Sequence, residues 1–185
     1  MVTVINIKNK DFLSLAKARK TTYEFSKKPV KESQLKNILE AGRWAPSCSN
    51  VQPWYFVVVK DKKIISKIMK TAYYGDFHTD PNILVVLLLR MDICTGEHRC
   101  IKRERISILE GNLCVAMAAA NMILEATSLA IDSCILSPET KKVLKILNMQ
   151  NKKSVPLMLG FGYEKKGAYQ KIRERKKLGE IVTYR

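Results

Sequence analysis

The sequence lacks the marks of export at its start. The apolar patch Val2, Val4, Ile5 and Ile7 has no basic segment before it and no small-residue cleavage site after it, so no secretory signal is expected. It also lacks an uncharged apolar run of the about 20 residues that span a bilayer. The nearest approach, residues 113–131, is interrupted by Asn121 and Glu125 and rich in Ala, and reads as a buried helix. No regular spacing relates its five cysteines, Cys48, Cys94, Cys100, Cys114 and Cys134, which argues against a disulfide framework and for reduced thiols in a cytoplasmic protein. Cys94, His98 and Cys100, with His78 upstream, are soft-ligand types, but they match none of the usual Cys-x2-Cys pairs of zinc sites, and no metal is expected. Acidic residues are scarce, 17 against 33 Lys and Arg, for a net charge of +16. That invites a nucleic-acid reading. Yet the basic residues are dispersed, and no Lys/Arg run is interleaved with aromatics as single-strand binding requires. The charge reads as solvated surface that attracts anionic ligands such as dinucleotides, with neither a nucleic-acid nor a membrane partner expected.

What is present suits one domain with a sizeable core, residues 1–185: 46% of the chain is hydrophobic and 27% charged. Apolar periodicity predicts helices over 11–20, with Asp11 as N-cap and Phe12, Leu15 and Ala16 on one face, and over the segment bearing Leu35, Ile38, Leu39 and Gly42. Further helices are predicted over 62–72, 104–130 and 138–147. In 104–130 the recurring positions are Leu109, Leu113, Ala116, Ala120, Leu124 and Thr127, and the rest of the circumference is also largely apolar. Strands are predicted over 54–60, 82–90 and 155–163, with a strand-like tail over 178–184. Residues 83–89 show no alternation, so that strand should be covered on both faces, in a sheet between helical layers.

The chemistry concentrates in residues 43–56. Two prolines and small polar residues stand between Trp44 and Trp54, where a plain helix-to-strand connection needs only a few turn residues. Each proline fixes its own φ and biases the residue before it. A loop so stiffened can hold Ser47, Ser49, Asn50 and Gln52 toward a flat heteroaromatic ligand at little entropic cost; a purely structural loop accounts for the residue types equally well. Arg19 and Thr21 close the first helix, and a guanidinium fork with a hydroxyl suits a phosphate.

The run Pro46-Ser47-Cys48-Ser49-Asn50-Val51-Gln52-Pro53-Trp54, behind a helix ending in Gly42-Arg43-Trp44, resembles the signature of the FMN-dependent nitroreductase family. Arg19-Lys20-Thr21 near the start, and Gly162-Tyr163 with the basic segment 173–178 near the end, resemble weaker features of that family. The resemblance implies an α+β fold, a three-layer αβα sandwich with a mixed, mostly antiparallel sheet flanked by helices, in an intertwined homodimer whose helix 104–130 lies in the interface. It implies FMN as cofactor, NAD(P)H as donor, and hydride transfer through flavin N5 to small electron-poor acceptors such as nitroaromatics or quinones. No catalytic side chain is expected, because the cofactor carries the chemistry. Arg19, Lys20, Thr21, Arg173 and Arg175 are implied at the phosphate, and Pro46, Ser47, Cys48, Asn50 and Gln52 at the ring and ribityl chain. Ile135, Leu136 and Ser137 are implied near N5 through backbone, although the family's glycines there are replaced. Tyr23 stands where the family carries a basic residue beside the pyrimidine edge, and a phenol gives the anionic reduced flavin less support. Residues 91–105 look trimmed of a helical insertion common in the family, which implies a more open site. A non-catalytic flavin- or nucleotide-binding module, or a basic nucleic-acid-associated one, on the same scaffold is the alternative.

Overall fold

The structure is a computed structural model, and it describes residues 11–73, 75, 79–90, 104–149, 153–171 and 173–185. His78 lies outside these residues, as do residues 91–103 with Cys94, His98 and Cys100, on which most of the expected trimming at 91–105 falls.

The architecture is α+β. Helices α1 (Phe12–Ala18), α2 (Glu32–Arg43), α3 (Lys62–Met69), α4 (Glu104–Ser128) and α5 (Thr140–Ile146) flank strands β1 (Trp54–Val59), β2 (Ile83–Arg90), β3 (Asp132–Leu136) and β4 (Lys153–Gly162). The sheet runs β1-β2-β4-β3, with every neighbouring pair antiparallel. The parallel component among the described residues is an isolated bridge between Thr21 and Ser133.

The unbroken apolar run of β2 is explained by its two faces. Ile83, Val85, Leu87 and Leu89 enter one core with Leu35 and Ile38 of α2 and Cys114, Val115, Ala118, Met122 and Ala126 of α4. Leu84, Val86 and Leu88 enter a second core with Ile65 and Ile68 of α3 and Val143 and Leu144 of α5. Three layers follow from that division, since a strand with both faces buried needs helices on each side. The α2 and α4 helices approach closely. A Cβ on Gly42 would stand 2.4 Å from Met122 Cε, and Asn121 Nδ2 donates to the Ala41 carbonyl at 3.2 Å.

Two elements differ from the sequence expectations, the first helix and the tail, and the long helix settles a face that they left open. Asp11 caps α1 as expected, accepting from Ser14 N, but the helix buries none of its residues and Phe12 and Leu13 are exposed. In α4 the stripe of Leu109, Leu113, Ala116 and Ala120 faces away from the core; the face one step round, Cys114, Val115, Ala118, Met122 and Ala126, is buried. An apolar residue at nearly every position left periodicity no contrast with which to choose the inner face. The tail is no strand: Leu178–Glu180 forms one 3-10 turn and the residues after it are irregular. A strand exists only where a neighbour accepts its ladder, and no described strand takes the tail up.

Helix 108–128 meets the length and hydropathy of a membrane span. Its inner face is nevertheless occupied by α2 and the sheet, as in a core helix.

Candidate functional site

Backbone pairing assembles one end of the molecule from three distant segments. Thr22 N donates to Ser133 O of β3 at 2.9 Å, fixing the segment after α1 beside the edge strand. Ser26 N donates to Tyr163 O and Lys165 N to Glu24 O, so that the chain leaving β4 returns along residues 24–26. The basic tail then turns back over α1. The Arg173 guanidinium donates to the carbonyl oxygens of Arg19 and Lys17, the latter at 2.9 Å.

Between these segments lies a cleft of about 680 Å³, lined by Arg19, Lys20, Thr21 and Tyr23 on one side and by Tyr169, Gln170, Lys171, Arg173, Glu174 and Arg175 on the other. That is within the usual range of small-molecule sites, about 300–1,000 Å³. Burial first, and then the nearby Arg173 and Arg175 guanidiniums, push Arg19 below its ordinary pKa. Among the described residues, none of Arg19, Arg173 and Arg175 forms an ion pair with a carboxylate. Three mutually repelling guanidiniums with no carboxylate partner among the described residues have the chemistry that suits an anion. Arg19 Nη1 donates to Thr21 Oγ1 at 3.4 Å, which leaves the hydroxyl proton of Thr21 to donate elsewhere. Tyr23 and Tyr169 face each other at 6.1 Å, tilted by 52°, and give the cleft an aromatic wall.

Lys20 lines the cleft but its ammonium is engaged. It meets Glu164 at 2.6 Å and Asp132 at 3.8 Å, while Glu164 N donates to Asp132 Oδ2 and Gln170 Nε2 to Glu164 Oε2. This network holds the first segment, β3 and the tail together. Burial raises the pKa of Asp132, against the opposing pull of the Glu164 N–H and of Lys20.

The amide loop is a second polar cluster, and its residues are not among those lining the cleft. Gln52 N donates to Ser47 Oγ at 3.0 Å, and Gln52 Nε2 donates to Asn50 O at 3.1 Å and to Asn50 Oδ1 at 3.3 Å. Ser49, Asn50 and Gln52 have φ of 46°, 54° and 49°. Left-handed backbone at residues with a Cβ costs on the order of 1 kcal/mol each. The strain is held by anchoring at both ends: Ala45 and Trp54 are buried, and Cys48 N contacts Cys114 Sγ of α4 at 3.4 Å. Pro46, Asn50 and Gln52 face solvent, and Ser47 and Cys48 are half-buried.

Leu136 of β3 turns its side chain into the second core, whereas Ile135 of β3 and Ser137 just after the strand are exposed. The Ser137 carbonyl accepts from Tyr73 N. Beside the loop, α4 presents Leu109, Leu113 and Met117 to solvent, 60%, 56% and 37% exposed, with Ala116 and Ala120 between them. Such an exposed apolar stripe is of the kind that partner surfaces carry.

The structure thus gathers Arg19, Lys20, Thr21, Tyr23, Arg173 and Arg175 in one cleft, and gathers Ser47, Cys48, Asn50 and Gln52 in a separate loop beside the exposed face of α4. Sequence reasoning missed Tyr169 and Gln170. The single aromatic within the charged segment 165–177 was the available signal for Tyr169.

The model of the Nitroreductase family matches residues 16–81, which carry both Arg19 and the amide loop. A Thermus thermophilus protein named NADH dehydrogenase is 26% identical over 202 residues, spanning 95% of this chain and 96% of the relative. A nitroreductase family protein of Streptococcus pneumoniae superposes with a TM-score of 0.82 at 23% identity, over 95% of this chain and all of that one (100%). A Desulfovibrio desulfuricans protein described as a nitroreductase, solved in complex with FMN, gives a TM-score of 0.79 at 20% identity, over 96% and 98%. At these identities the two solved structures establish the shared fold. The chain is thus similar to the nitroreductase family over residues 16–81, which carry both motifs, and to a relative aligned over almost its whole length, and it shares the fold of the solved nitroreductases.

Proposed function

We propose that the chain is a single-domain, FMN-dependent oxidoreductase of the cytoplasm, acting as a homodimer, that uses NAD(P)H to reduce small electron-poor acceptors such as nitroaromatics or quinones. The observation that carries the reading is the cluster of Arg19, Arg173 and Arg175 around one cleft, none of them paired with a carboxylate among the described residues. A dianionic phosphate monoester is the complement of such a cluster, and FMN carries one. The donor set therefore fits the cofactor.

In this reading Arg19, Arg173 and Arg175 hold the phosphate with Thr21, and Lys20 braces the cleft wall through Glu164 and Asp132. Tyr23 lies toward the ring end. Ser47, Asn50 and Gln52 supply hydrogen bonds to the flat ring system, Pro46 and Cys48 fix the loop's course, and Ile135, Leu136 and Ser137 offer backbone at the edge of β3. The loop and the cleft are separate within one chain. The apolar stripe of α4 beside the loop supports their completing each other across a dimer interface. When bound, FMN supplies the two-electron chemistry between nicotinamide and acceptor. The protein's own part is to bind the phosphate, orient the ring and exclude water from one face. A similar protein bound to FMN and a relative named for NADH oxidation support the assignment.

The test is direct. Purified protein should be yellow or take up added FMN stoichiometrically, and should elute as a dimer. Colourless protein that binds no FMN would overturn the reading.

A further inference from the structure

Two cysteines of the described chain meet at the amide loop. Cys48 is half-buried at the start of the turn Cys48–Asn50, and Cys114 is 2% exposed on α4. The Cys48 N–H donates to Cys114 Sγ at 3.4 Å. Cys48 packs against the hydrophobic cluster to which Cys114 belongs, and both are reduced. A disulfide needs its Cα atoms about 4.4–6.8 Å apart, and the Cys48 N–H to Cys114 Sγ bond makes the two residues direct neighbours. Cys48 sits on a loop and not on a helix, so the adjustment needed falls on turn backbone next to the left-handed Ser49 and Asn50.

We propose that Cys48 and Cys114 form a thiol modification site, a dithiol that hydrogen peroxide converts into an intramolecular disulfide clamping the amide loop to α4. Cys48, the more exposed thiol, attacks the peroxide as thiolate. An S–O bond forms, the O–O bond breaks, and one water leaves, giving Cys48 sulfenic acid. The Cys114 thiol then attacks that sulfur; the S–S bond forms, the S–O bond breaks, and a second water leaves. Two thiols lose two electrons and two protons, and the peroxide is reduced to two waters. Cys134 provides an internal control. It is 1% exposed, and burial pushes its thiol up to about 12, so it stays protonated and inert. The site rests on thiol placement alone and is independent of the cofactor reading.

The whole wild-type protein, treated with stoichiometric hydrogen peroxide, is alkylated, digested without reduction and mapped by mass spectrometry. A cross-linked peptide pair containing Cys48 and Cys114 is expected, reversible by dithiothreitol and absent from the C48S variant. Hydrogen exchange of the loop amides should slow by about tenfold or more in the oxidised form, because local opening now has to stretch a covalent clamp. Recovery of Cys48 as an alkylated thiol or as a sulfinic acid, a bridge from Cys48 to Cys94 or Cys100, or unchanged loop exchange would each overturn the proposal. The primary readout needs no variant and so does not depend on C48S folding.

Discussion

The Arg173 guanidinium donates to the main-chain carbonyl of Arg19, joining residues 154 positions apart. The same side chain reaches the Lys17 carbonyl. Arg173 therefore pins the basic tail to the end of α1, and Arg19 and Arg175 become partners across the cleft.

The pair Arg19→Ala and Arg175→Ala, made together, should weaken FMN binding by about 3 kcal/mol, roughly two orders of magnitude in Kd, as charge-assisted hydrogen bonds are lost. Fluorescence titration measures it. An unchanged Kd would remove the phosphate assignment.

Tyr23 lines the same cleft and adds no positive charge. Tyr23→Arg should raise the reduction potential of the bound flavin, because a cation near the ring favours the anionic reduced form. Spectroelectrochemical titration reads the shift; a lowered or unchanged potential would place Tyr23 away from the ring.

The apolar stripe of α4 predicts how the subunits associate. Leu113→Glu puts a charge at a position 56% exposed in the single chain, so the fold should survive. Buried against a partner, the unpaired charge costs several kcal/mol. Light scattering should report monomer in place of dimer, and a persisting dimer would move the interface elsewhere.

Gly42 and Met122 form a packing pair. Gly42→Ala should destabilise by about 1–3 kcal/mol in urea, since the new Cβ meets a fully buried Met122. In a Met122→Ala background the added cost of Gly42→Ala should largely vanish, the signature of two residues sharing one space. Additive costs would mean that the clash lies with other atoms.

The burial of Asp132 sets the sign of a pH dependence. Burial raises its folded pKa above the ordinary 3.8, so the folded state binds the proton more tightly than the unfolded one. Its contribution favours the fold below that value and is lost as pH rises through the raised folded value. Asp132→Asn keeps the acceptor for the Glu164 N–H and abolishes this slope. Wild type should lose stability relative to the variant as pH rises from about 3.8, and the difference should then level off. Wild type that loses stability relative to the variant on acidification from neutral pH through that window, or that shows no relative slope, would contradict it.

Much of this was legible from residue order. The run Ile83–Leu89 announced a strand covered on both sides because buried β-branched and aliphatic residues have no polar alternation to show, and the structure divides that run between two cores. Arg19, Thr21 and the amide loop stood out as short-range motifs. The inner face of α4 did not, since apolar residues surround that helix. Nor did the brace of Lys20 with Glu164 and Asp132, whose members are separated by as many as 144 positions. Charges that meet only after the sheet has formed leave no local signature. The tail is a third case: its β-branched residues read as strand, but strand formation depends on a neighbour that sequence alone does not supply.

The most direct measurement is anaerobic mixing of the FMN-loaded protein with excess NADH and, separately, NADPH, followed by the visible absorbance of the flavin. Rapid bleaching with at least one nicotinamide, and recovery of the colour when a quinone or nitroaromatic is added, is expected of the oxidoreductase. A flavin that stays oxidised with both donors would contradict it and leave a binding module in its place.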